Sequence, residues 1–300
     1  MIRESIDRET IAVLFKDERI TYGQLDTMSD VIASILREKK VSRNDVVPVI
    51  AKRSWHVIVA MLGIIKAGGA YLPISPDYPE ARVKDMLFEC GAKTILSFGS
   101  DASFPAYDTV RLEDVDFNRQ TLRIENVNSP EDICYVLYTS GSTGKAKAVV
   151  IRHRNLVNFM DSNRKNEYQN TFANTSRCVL ADTSFIFDIS VFEIVLSLLN
   201  GKTIVLTEDM ATPIDVADLI EKHHVDTLHT TPTKLRLWLT EPMFQNAFSS
   251  IRLLMCGAEE FTDDLYQRIR RHTDAVVYNG YGPTEITIGC CFKRIEEIAA

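Results

Sequence analysis

A dense run of hydroxyls, glycines and lysines follows an apolar segment near the middle of the chain. Residues 133–138 are apolar and predict a strand. The polar run contains Thr139, Ser140, Gly141, Ser142, Thr143, Gly144, Lys145, Ala146 and Lys147. Glycine lets backbone N–H groups approach phosphate oxygens, hydroxyls donate hydrogen bonds, and lysine offsets negative charge. The segment therefore predicts a loop that binds a polyphosphate.

This loop differs from a Walker P-loop at two positions. The Walker pattern requires glycine where Thr139 stands, and serine or threonine where Ala146 stands. The sequence thus predicts a phosphate loop of another kind.

The elements around the loop alternate between helical and strand-like patterns. Thr21 and Gln24 form a capping box, Ser54 is predicted to cap the next helix, and Gly68 is predicted to end it. Apolar strand-like runs and amphipathic helices then alternate to about residue 278, whereas residues 98–130 are polar and patternless. Such alternation predicts an α/β fold with parallel sheets and helices packed on their faces.

Composition narrows the class of protein. The chain has 300 residues, 45% of them hydrophobic, and a formal net charge of -7, which argues against a nucleic-acid partner. It shows neither a secretory signal nor an apolar run of about 20 residues that could span a membrane. The cysteines lack metal-ligand spacing and predict buried free thiols in a reducing, cytoplasmic setting. They are Cys90, Cys134, Cys178, Cys256, Cys290 and Cys291.

The chain resembles the adenylation domain of nonribosomal peptide synthetases, within the adenylate-forming enzymes. Six matches occur in that family's order and together cover most of the chain. They are residues 21–25 (TYGQL), 66–74 (KAGGAYLPI), 138–149 around the glycine-rich loop, 187–190 (FDIS), 257–259 (GAE) and 279–285 (NGYGPTE). The resemblance implies two stacked, mostly parallel sheets with flanking helices, and two α/β subdomains within residues 1–300.

The resemblance also implies an activity and its partners. ATP and an amino acid would give aminoacyl-AMP and pyrophosphate, and a phosphopantetheine thiol on a peptidyl carrier protein would accept the amino acid. Catalytic roles fall to Thr143, Lys147, Thr284 and Glu285, with Glu285 also binding Mg²⁺. Nucleotide contacts fall to the loop residues Thr139, Ser140, Gly141, Ser142, Thr143, Gly144 and Lys145, and to Gly257, Ala258, Glu259, Asn279, Gly280, Tyr281, Gly282 and Thr284.

These assignments agree with the chemistry of the residues. A carboxylate that attacks the α-phosphorus brings several negative oxygens together, so the site must neutralise charge and hold two reactants in line. Mg²⁺ favours a carboxylate together with substrate phosphates, which suits Glu285. Thr284 can donate to the α-phosphate, and Tyr281 offers a ring face to adenine.

Asp188 distinguishes the amino-acid branch of the family, where this aspartate pairs with the substrate's α-ammonium. Its neighbours Phe185, Phe187 and Ile189 are apolar, so we expect a partly desolvated carboxylate. A buried charge is costly unless it is paired, and a substrate cation would supply the pair. The alternative role is N-cap of a helix over residues 189–199, which could coexist with binding.

The resemblance carries over a set of substrate-pocket positions. They are Asp188, Ile189, Phe192, His229, Leu254, Cys256, Gly280, Ile288 and Gly289. This lining is mostly apolar. The small residues Gly280 and Gly289 are expected to leave depth in the pocket, and His229 supplies one polar group. The lining predicts a neutral substrate side chain, such as an aromatic one with a hydroxyl that His229 hydrogen-bonds. A structural role for His229 in the core is the alternative.

Two departures from the family weaken the predicted activity. Ala146 and Ala148 replace the usual proline and second glycine of the loop, and a positive φ at Ala148 would strain it. The family's later motifs, including the C-terminal subdomain with its catalytic lysine, are not present in these 300 residues. We therefore expect weak binding and poor adenylation from this chain alone.

Two other functions stay open. An acyl-CoA or aryl-acid ligase of the same superfamily would activate a carboxylate without needing Asp188. A non-catalytic remnant that serves as an interaction module is compatible with the substituted loop.

Overall fold

The computed structural model describes residues 6–100, 103–140, 146–160 and 166–296, and these residues form two β-sheets with helices around them. Sheet A contains β1 (Ile11–Phe15), β2 (Glu18–Thr21), β9 (Cys178–Ala181), β10 (Thr203–Leu206), β11 (Thr227–Thr230), β12 (Leu253–Gly257), β13 (Val276–Tyr281) and β14 (Cys291–Ile295). Sheet B contains β3 (Val46–Ala51), β4 (Ala70–Ile74), β5 (Thr94–Phe98), β6 (Asp108–Arg111), β7 (Ile133–Ser140) and β8 (Ala146–Arg152).

Both sheets are parallel in their interiors and antiparallel only at edges. The strand order of sheet A is β14-β13-β12-β11-β9-β10-β1-β2, with β2 and β14 antiparallel to their neighbours. Sheet B has the order β6-β5-β3-β4-β7-β8, with β8 antiparallel to β7. Fully buried runs such as β12 fit this arrangement, since helices cover both faces of a parallel sheet.

The helices follow the strands as the alternation predicts. The α-helices of the described residues are α1 (Tyr22–Glu38), α2 (Trp55–Ala67), α3 (Glu80–Glu89), α4 (His153–Met160), α5 (Glu167–Thr175), α6 (Asp188–Leu199), α7 (Pro213–His223), α8 (Pro232–Trp238), α9 (Pro242–Phe248) and α10 (Asp263–Arg270). Short 3₁₀ turns occupy Leu112–Asp114 and Thr284–Ile286.

Most of the predicted helix ends are correct, and one is wrong. The capping box of Thr21 and Gln24 is present, and Gly68 ends α2 with φ 101°. Ser54 occupies the N-cap position of α2, but its hydroxyl accepts no amide and has no partner among the described residues. The predicted start of α2 is therefore correct, whereas the predicted side-chain cap by Ser54 is not.

The path of the chain links the two sheets. Strands β1 and β2 join sheet A beside β10, the chain then builds sheet B, and it returns to sheet A at β9. One buried apolar cluster contains Val47 and Leu137 of sheet B together with Val179 and Leu253 of sheet A. The α/β prediction of two stacked, mostly parallel sheets is confirmed.

Two expectations from the sequence need correction. Residues 98–130 are not patternless, because they contain β6 and a 3₁₀ turn. All six cysteines are free, but Cys290 and Cys291 are exposed instead of buried. Among the helices of the described residues, none has both the length and the apolar character of a membrane span.

Candidate active site

The glycine-rich loop connects the two strands of an antiparallel hairpin. Strand β7 leads into the loop and β8 leaves it, so Thr139 pairs with Lys147 at the mouth of the loop. Lys147 is exposed there, where a phosphate could reach its ammonium. The loop residues Gly141, Ser142, Thr143, Gly144 and Lys145 lie outside the described residues, so their predicted contacts stay predictions.

Ala148 does not strain the hairpin. It lies inside β8 and pairs with Tyr138, so its backbone is extended, a conformation that any residue adopts. The positive φ considered for this position is therefore not required.

The hairpin of sheet B meets sheet A at the turn after β13. Strand β8 packs against the 3₁₀ turn Thr284–Ile286, where the side chain of Glu285 is exposed. This turn requires glycine at position 282, because a Cβ on Gly282 would lie 2.3 Å from the Cα of Gly289. The predicted phosphate and metal residues Lys147, Thr284 and Glu285 therefore come from two sheets and lie on neighbouring elements.

The same turn carries unusual backbone angles. Thr287 and Ile288 have φ values of 67° and 69°, and both residues are buried. A positive φ is rare for β-branched residues, and such outliers concentrate at functional sites. The turn that positions Thr284 and Glu285 is thus held by its surroundings against local preference.

Asp188 lies at the start of α6 and is 9% exposed. The N-cap of α6 is Phe187, so the alternative role of Asp188 as N-cap is wrong. Burial raises the pKa of the Asp188 carboxyl, while a hydrogen bond from Thr284 and the amides of the first helical turn lower it; nearby Glu285 raises it further. The second oxygen, Oδ2, is buried and has no hydrogen-bond partner among the described residues. This carboxyl is therefore positioned to receive a cation.

The alternation of side chains along β12 shows that two of the predicted pocket residues lie on the wrong face of the sheet. Along β12, Leu254 and Cys256 belong to the apolar cluster behind the sheet, whereas Met255 belongs to the cluster on the α6 side. Because side chains alternate along a strand, Leu254 and Cys256 face away from Asp188. Met255, paired with His229, and Gly257, paired with Gly280, take their places on the site face.

His229 is enclosed by aromatic rings on that face. It is 1% exposed and stacks on Phe192 with ring centroids 5.0 Å apart. Its Nε2 atom is hydrogen-bonded to the hydroxyl of Tyr168. Burial lowers the pKa of His229 to about 3, so the imidazole is neutral at physiological pH.

The depth expected beside the two glycines is already occupied. A Cβ at Gly289 would lie 2.8 Å from Cζ of Phe292, and one at Gly280 would lie 3.0 Å from Sδ of Met255. Phe292 lies on β14 opposite Gly280 and stacks on Tyr168 at 5.2 Å. The expectation of open space there is wrong. Ile288 belongs to the same buried cluster as Phe192, and Ile189 packs against that cluster.

The predicted nucleotide residues outside the loop gather at the carboxyl ends of β12 and β13. Ala258 has φ 67°, a conformation that favours glycine, and Tyr281 has a ring that is 68% exposed. Glu259 has a structural partner, because its Oε2 accepts the backbone N–H of Thr233 at 2.7 Å near the start of α8. Asn279 pairs with Cys256, which places it on the face opposite Gly280.

Sequence reasoning missed four side chains of this site. Met255, Tyr168 and Phe292 line the aromatic cluster, and the buried hydroxyl of Tyr135 has no partner among the described residues. Burial is the main cause that raises the pKa of Tyr135, and the charge of Asp188 adds to it, so the two groups lie near one another. Met255 depends on the pairing register between β11 and β12, and Tyr168 and Phe292 depend on packing between distant elements, so no local signal in the sequence identifies them.

The fold and the motifs at the ends of β12 and β13 indicate the AMP-binding family. A family model described as AMP-binding enzyme matches residues 4–299, and the chain belongs to that family.

Named relatives narrow the resemblance within the family. The chain is 32% identical to gramicidin S synthase 2 of Brevibacillus brevis over 282 residues, covering 92% of this chain and 6% of that protein. It is 35% identical to bacitracin synthase 3 of Bacillus licheniformis over 297 residues, covering 96% of this chain and 4% of that protein. The chain thus spans a small part of each relative.

A solved structure agrees with the fold. The nonribosomal peptide synthetase FmoA3 in its AMPPNP-bound form superposes with a TM-score of 0.88 at 29% identity, covering 97% of this chain and 32% of that one. The resemblance to adenylation domains of nonribosomal peptide synthetases, predicted from the six motifs, is confirmed.

Proposed function

We propose that the chain takes part in ATP-dependent activation of an amino acid as its aminoacyl adenylate. The observation that carries the proposal is the buried carboxyl of Asp188, which lies near Thr284 and Glu285 and whose Oδ2 atom has no partner among the described residues. A buried anion is costly without a counter-charge, and the α-ammonium of an amino acid would supply it. A plain carboxylic acid would leave this oxygen unpaired.

The reaction needs the substrate carboxylate in line with the α-phosphorus of ATP. The carboxylate oxygen forms a bond to phosphorus while the bond to the pyrophosphate oxygen breaks, and pyrophosphate leaves. Asp188 would fix the amino group, Thr284 would donate to the α-phosphate, and Lys147 would offset the negative charge beside the loop. Tyr281 would offer its exposed ring to adenine.

Glu285 fits a Mg²⁺ site that is shared with the nucleotide. No group of three or more His, Cys, Asp or Glu side chains within the described ranges could hold a metal by itself. Glu285 has an exposed carboxylate and lies close enough to Asp188 to raise its pKa. Mg²⁺ binds through one or two carboxylates plus phosphate oxygens, so ATP would complete the ligand set and the ion would offset phosphate charge.

The activated amino acid needs an acceptor and a closing element. The named relatives are peptide synthetases, which supports a carrier-protein phosphopantetheine thiol as the acceptor. A C-terminal adenylation subdomain with a catalytic lysine is the second proposed partner. The lining around His229 contains no Lys or Arg and no carboxylate beyond Asp188, which favours a neutral substrate side chain.

Pyrophosphate exchange across all amino acids tests the proposal, using this chain joined to a C-terminal subdomain of the family. We expect exchange with a neutral amino acid, loss of that exchange in Asp188→Ala, and retention in the matched control Glu193→Gln. A preference for Asp, Glu, Lys or Arg would overturn the predicted pocket.

Two results would favour the other functions. Exchange driven by plain acids and insensitive to Asp188→Ala would identify an acyl- or aryl-acid ligase. Calorimetry that detects no ATP binding, with or without Mg²⁺, would favour a non-catalytic interaction module. Strong exchange by the 300 residues alone would contradict the expected dependence on a C-terminal subdomain.

A further inference from the structure

Two buried side chains behind the Asp188 site share a hydrogen bond that the reaction does not use. Tyr168 of α5 and His229 of β11 are 0% and 1% exposed, and the Tyr168 hydroxyl meets His229 Nε2. His229 Nδ1 is also buried and has no partner among the described residues. One nitrogen of the imidazole is therefore occupied, and the other is left over.

Counting donors and acceptors selects one arrangement of the protons. If Tyr168 donates to Nε2, only the Nδ1–H donor lacks a partner. If Nε2–H donates instead, both the Tyr168 proton and the Nδ1 lone pair lack partners. Each buried unpaired group is costly, so the first arrangement is favoured. A doubly protonated ring is excluded because burial lowers the pKa of His229 to about 3.

The position of His229 relates this donor to the substrate side chain. His229 stacks on Phe192, which lies one helical turn beyond Asp188 on α6. Because Phe292 and Met255 fill the space beside Gly289 and Gly280, an amino acid whose ammonium meets Asp188 would bring its side chain to this cluster by displacing these side chains. The inference rests on the proposed function in this respect.

We propose that Tyr168 is a positioning residue that holds His229 as its Nδ1–H tautomer, so that the pocket selects a neutral side chain bearing a hydrogen-bond acceptor oxygen. Phe292 keeps Tyr168 in place by stacking on its ring at 5.2 Å. A hydroxyl, ether or carbonyl oxygen satisfies the donor, whereas a hydrocarbon of the same shape leaves it unpaired.

The tautomer is measured first, without any ligand. Selective ¹⁵N labelling of histidine, with the His229 signals assigned by loss in His229→Gln, reports which ring nitrogen carries the proton. We expect a protonated Nδ1 and an unprotonated Nε2. The reverse pattern in the wild-type chain would overturn the inference.

Isosteric amino acids then test the selectivity in the chain joined to a C-terminal subdomain. O-methylserine and norvaline differ only by an ether oxygen in place of a methylene, and O-methyltyrosine and 4-ethylphenylalanine form a longer matched pair. In at least one pair we expect the ether to bind at least about tenfold more tightly. Equal binding within both pairs would overturn the inference.

A matched variant isolates the role of Tyr168. Tyr168→Phe lets the proton move to Nε2, so the preference should fall to within about threefold. Tyr278→Phe removes a buried hydroxyl from the same cluster, but that hydroxyl bonds Thr171 and Glu167 instead of His229, so the preference should stay. An equal loss in both variants would contradict a specific role for Tyr168.

The outcomes separate this inference from the proposed function. Amino-acid binding that depends on Asp188 but ignores the ether oxygen overturns the inference alone. No amino-acid binding by the joined wild-type protein overturns the proposed function, and the substrate part of the inference falls with it.

Discussion

Two buried carboxyls on the same helix differ in how the fold treats them. Glu193 is 0% exposed, and Thr183 donates to it through its hydroxyl at 2.7 Å and its amide at 3.3 Å. The charge of Arg53 also lies close to Glu193. Asp188, five residues earlier on α6, lies near Thr284, and its Oδ2 atom has no partner among the described residues.

This difference separates a structural carboxyl from a candidate binding carboxyl. Buried polar groups in folded proteins are nearly always hydrogen-bonded, and Glu193 follows that rule from within the chain. Asp188 has a buried oxygen without a partner among the described residues, and its carboxyl lies near Glu285. Residue type and burial alone would have ranked Glu193 as the more unusual group, because burial raises its pKa to about 8.

The largest expected effect is the loss of amino-acid binding in the variant Asp188→Ala. Removing the partner of a desolvated ammonium should weaken amino-acid binding by about 4 kcal/mol, on the order of a thousandfold. The free energy of unfolding should not fall, because a buried and partly unpaired carboxyl is removed. Calorimetric titration and urea unfolding measure the two quantities. Destabilisation without loss of binding would make Asp188 structural and erase its contrast with Glu193.

The next largest effect is on stability, from Glu193→Ala. This change leaves a cavity and removes the acceptor of the Thr183 hydroxyl and amide, so the free energy of unfolding should fall by about 3 kcal/mol. Urea unfolding of Glu193→Ala beside Glu193→Gln measures it, with the smaller loss expected for Gln. Unchanged stability would show that Glu193 is not held by the fold as its hydrogen bonds indicate.

The pH dependence of stability sharpens the contrast further. The folded pKa of Glu193, about 8, exceeds its ordinary value of 4.5, so the folded chain binds more protons than the unfolded chain between those values. The contribution of Glu193 to stability is complete below pH 4.5 and lost as the pH rises through about 8. Between these pH values the contribution of Glu193 to the free energy of unfolding should fall with a slope that approaches, and does not exceed, about 1.4 kcal/mol per pH unit.

The variant Glu193→Gln isolates that slope from other titrating groups. Buried His229 acts in the opposite sense, since its lowered pKa makes stability rise with pH up to its ordinary value of 6.5. Subtracting the Glu193→Gln profile from the wild-type profile removes the contribution of His229. A flat difference between pH 5 and 8 would contradict the protonated, buried state of Glu193.

The smallest effect is expected at the threonines that contact the two carboxyls. Thr183→Val removes one hydrogen bond to Glu193 and should cost about 1 kcal/mol of unfolding free energy. Thr284→Val removes the hydroxyl that helps to lower the pKa of Asp188, and it should weaken ligand binding more than it changes unfolding. Thermal unfolding and ligand titration of both variants give the comparison. Equal stability losses would indicate that both carboxyls are structural.

The architecture was predictable from the sequence because its signals are local. Interior strands such as β12 are uninterrupted apolar runs, and helices such as α1 begin with a complete capping box. Strand β6 escaped prediction because three of its four residues are exposed, which leaves no apolar run. Edge strand β14 was missed for a similar reason.

The site was predictable in its motifs but not in its lining. Asp188 and Glu285 stand in recognisable sequence contexts, whereas Leu254 and Cys256 were assigned to the wrong face of β12. A shift of one residue reverses the face of every side chain on a strand, and sequence alone does not fix that parity. Phe292 lies opposite Gly280 because β13 pairs with β14, and no local sequence pattern predicts that pairing.

The most direct test compares two non-hydrolysable adenylates that differ only in the α-amino group. An aminoacyl-sulfamoyl adenosine and its deamino counterpart are titrated into the chain and into Asp188→Asn, with Glu193→Gln as the control. Recognition of the ammonium by Asp188 predicts that the amino form binds at least about a hundredfold more tightly to the wild-type chain and to Glu193→Gln, and that Asp188→Asn loses this preference. Equal affinity of the wild-type chain for both adenylates would contradict it.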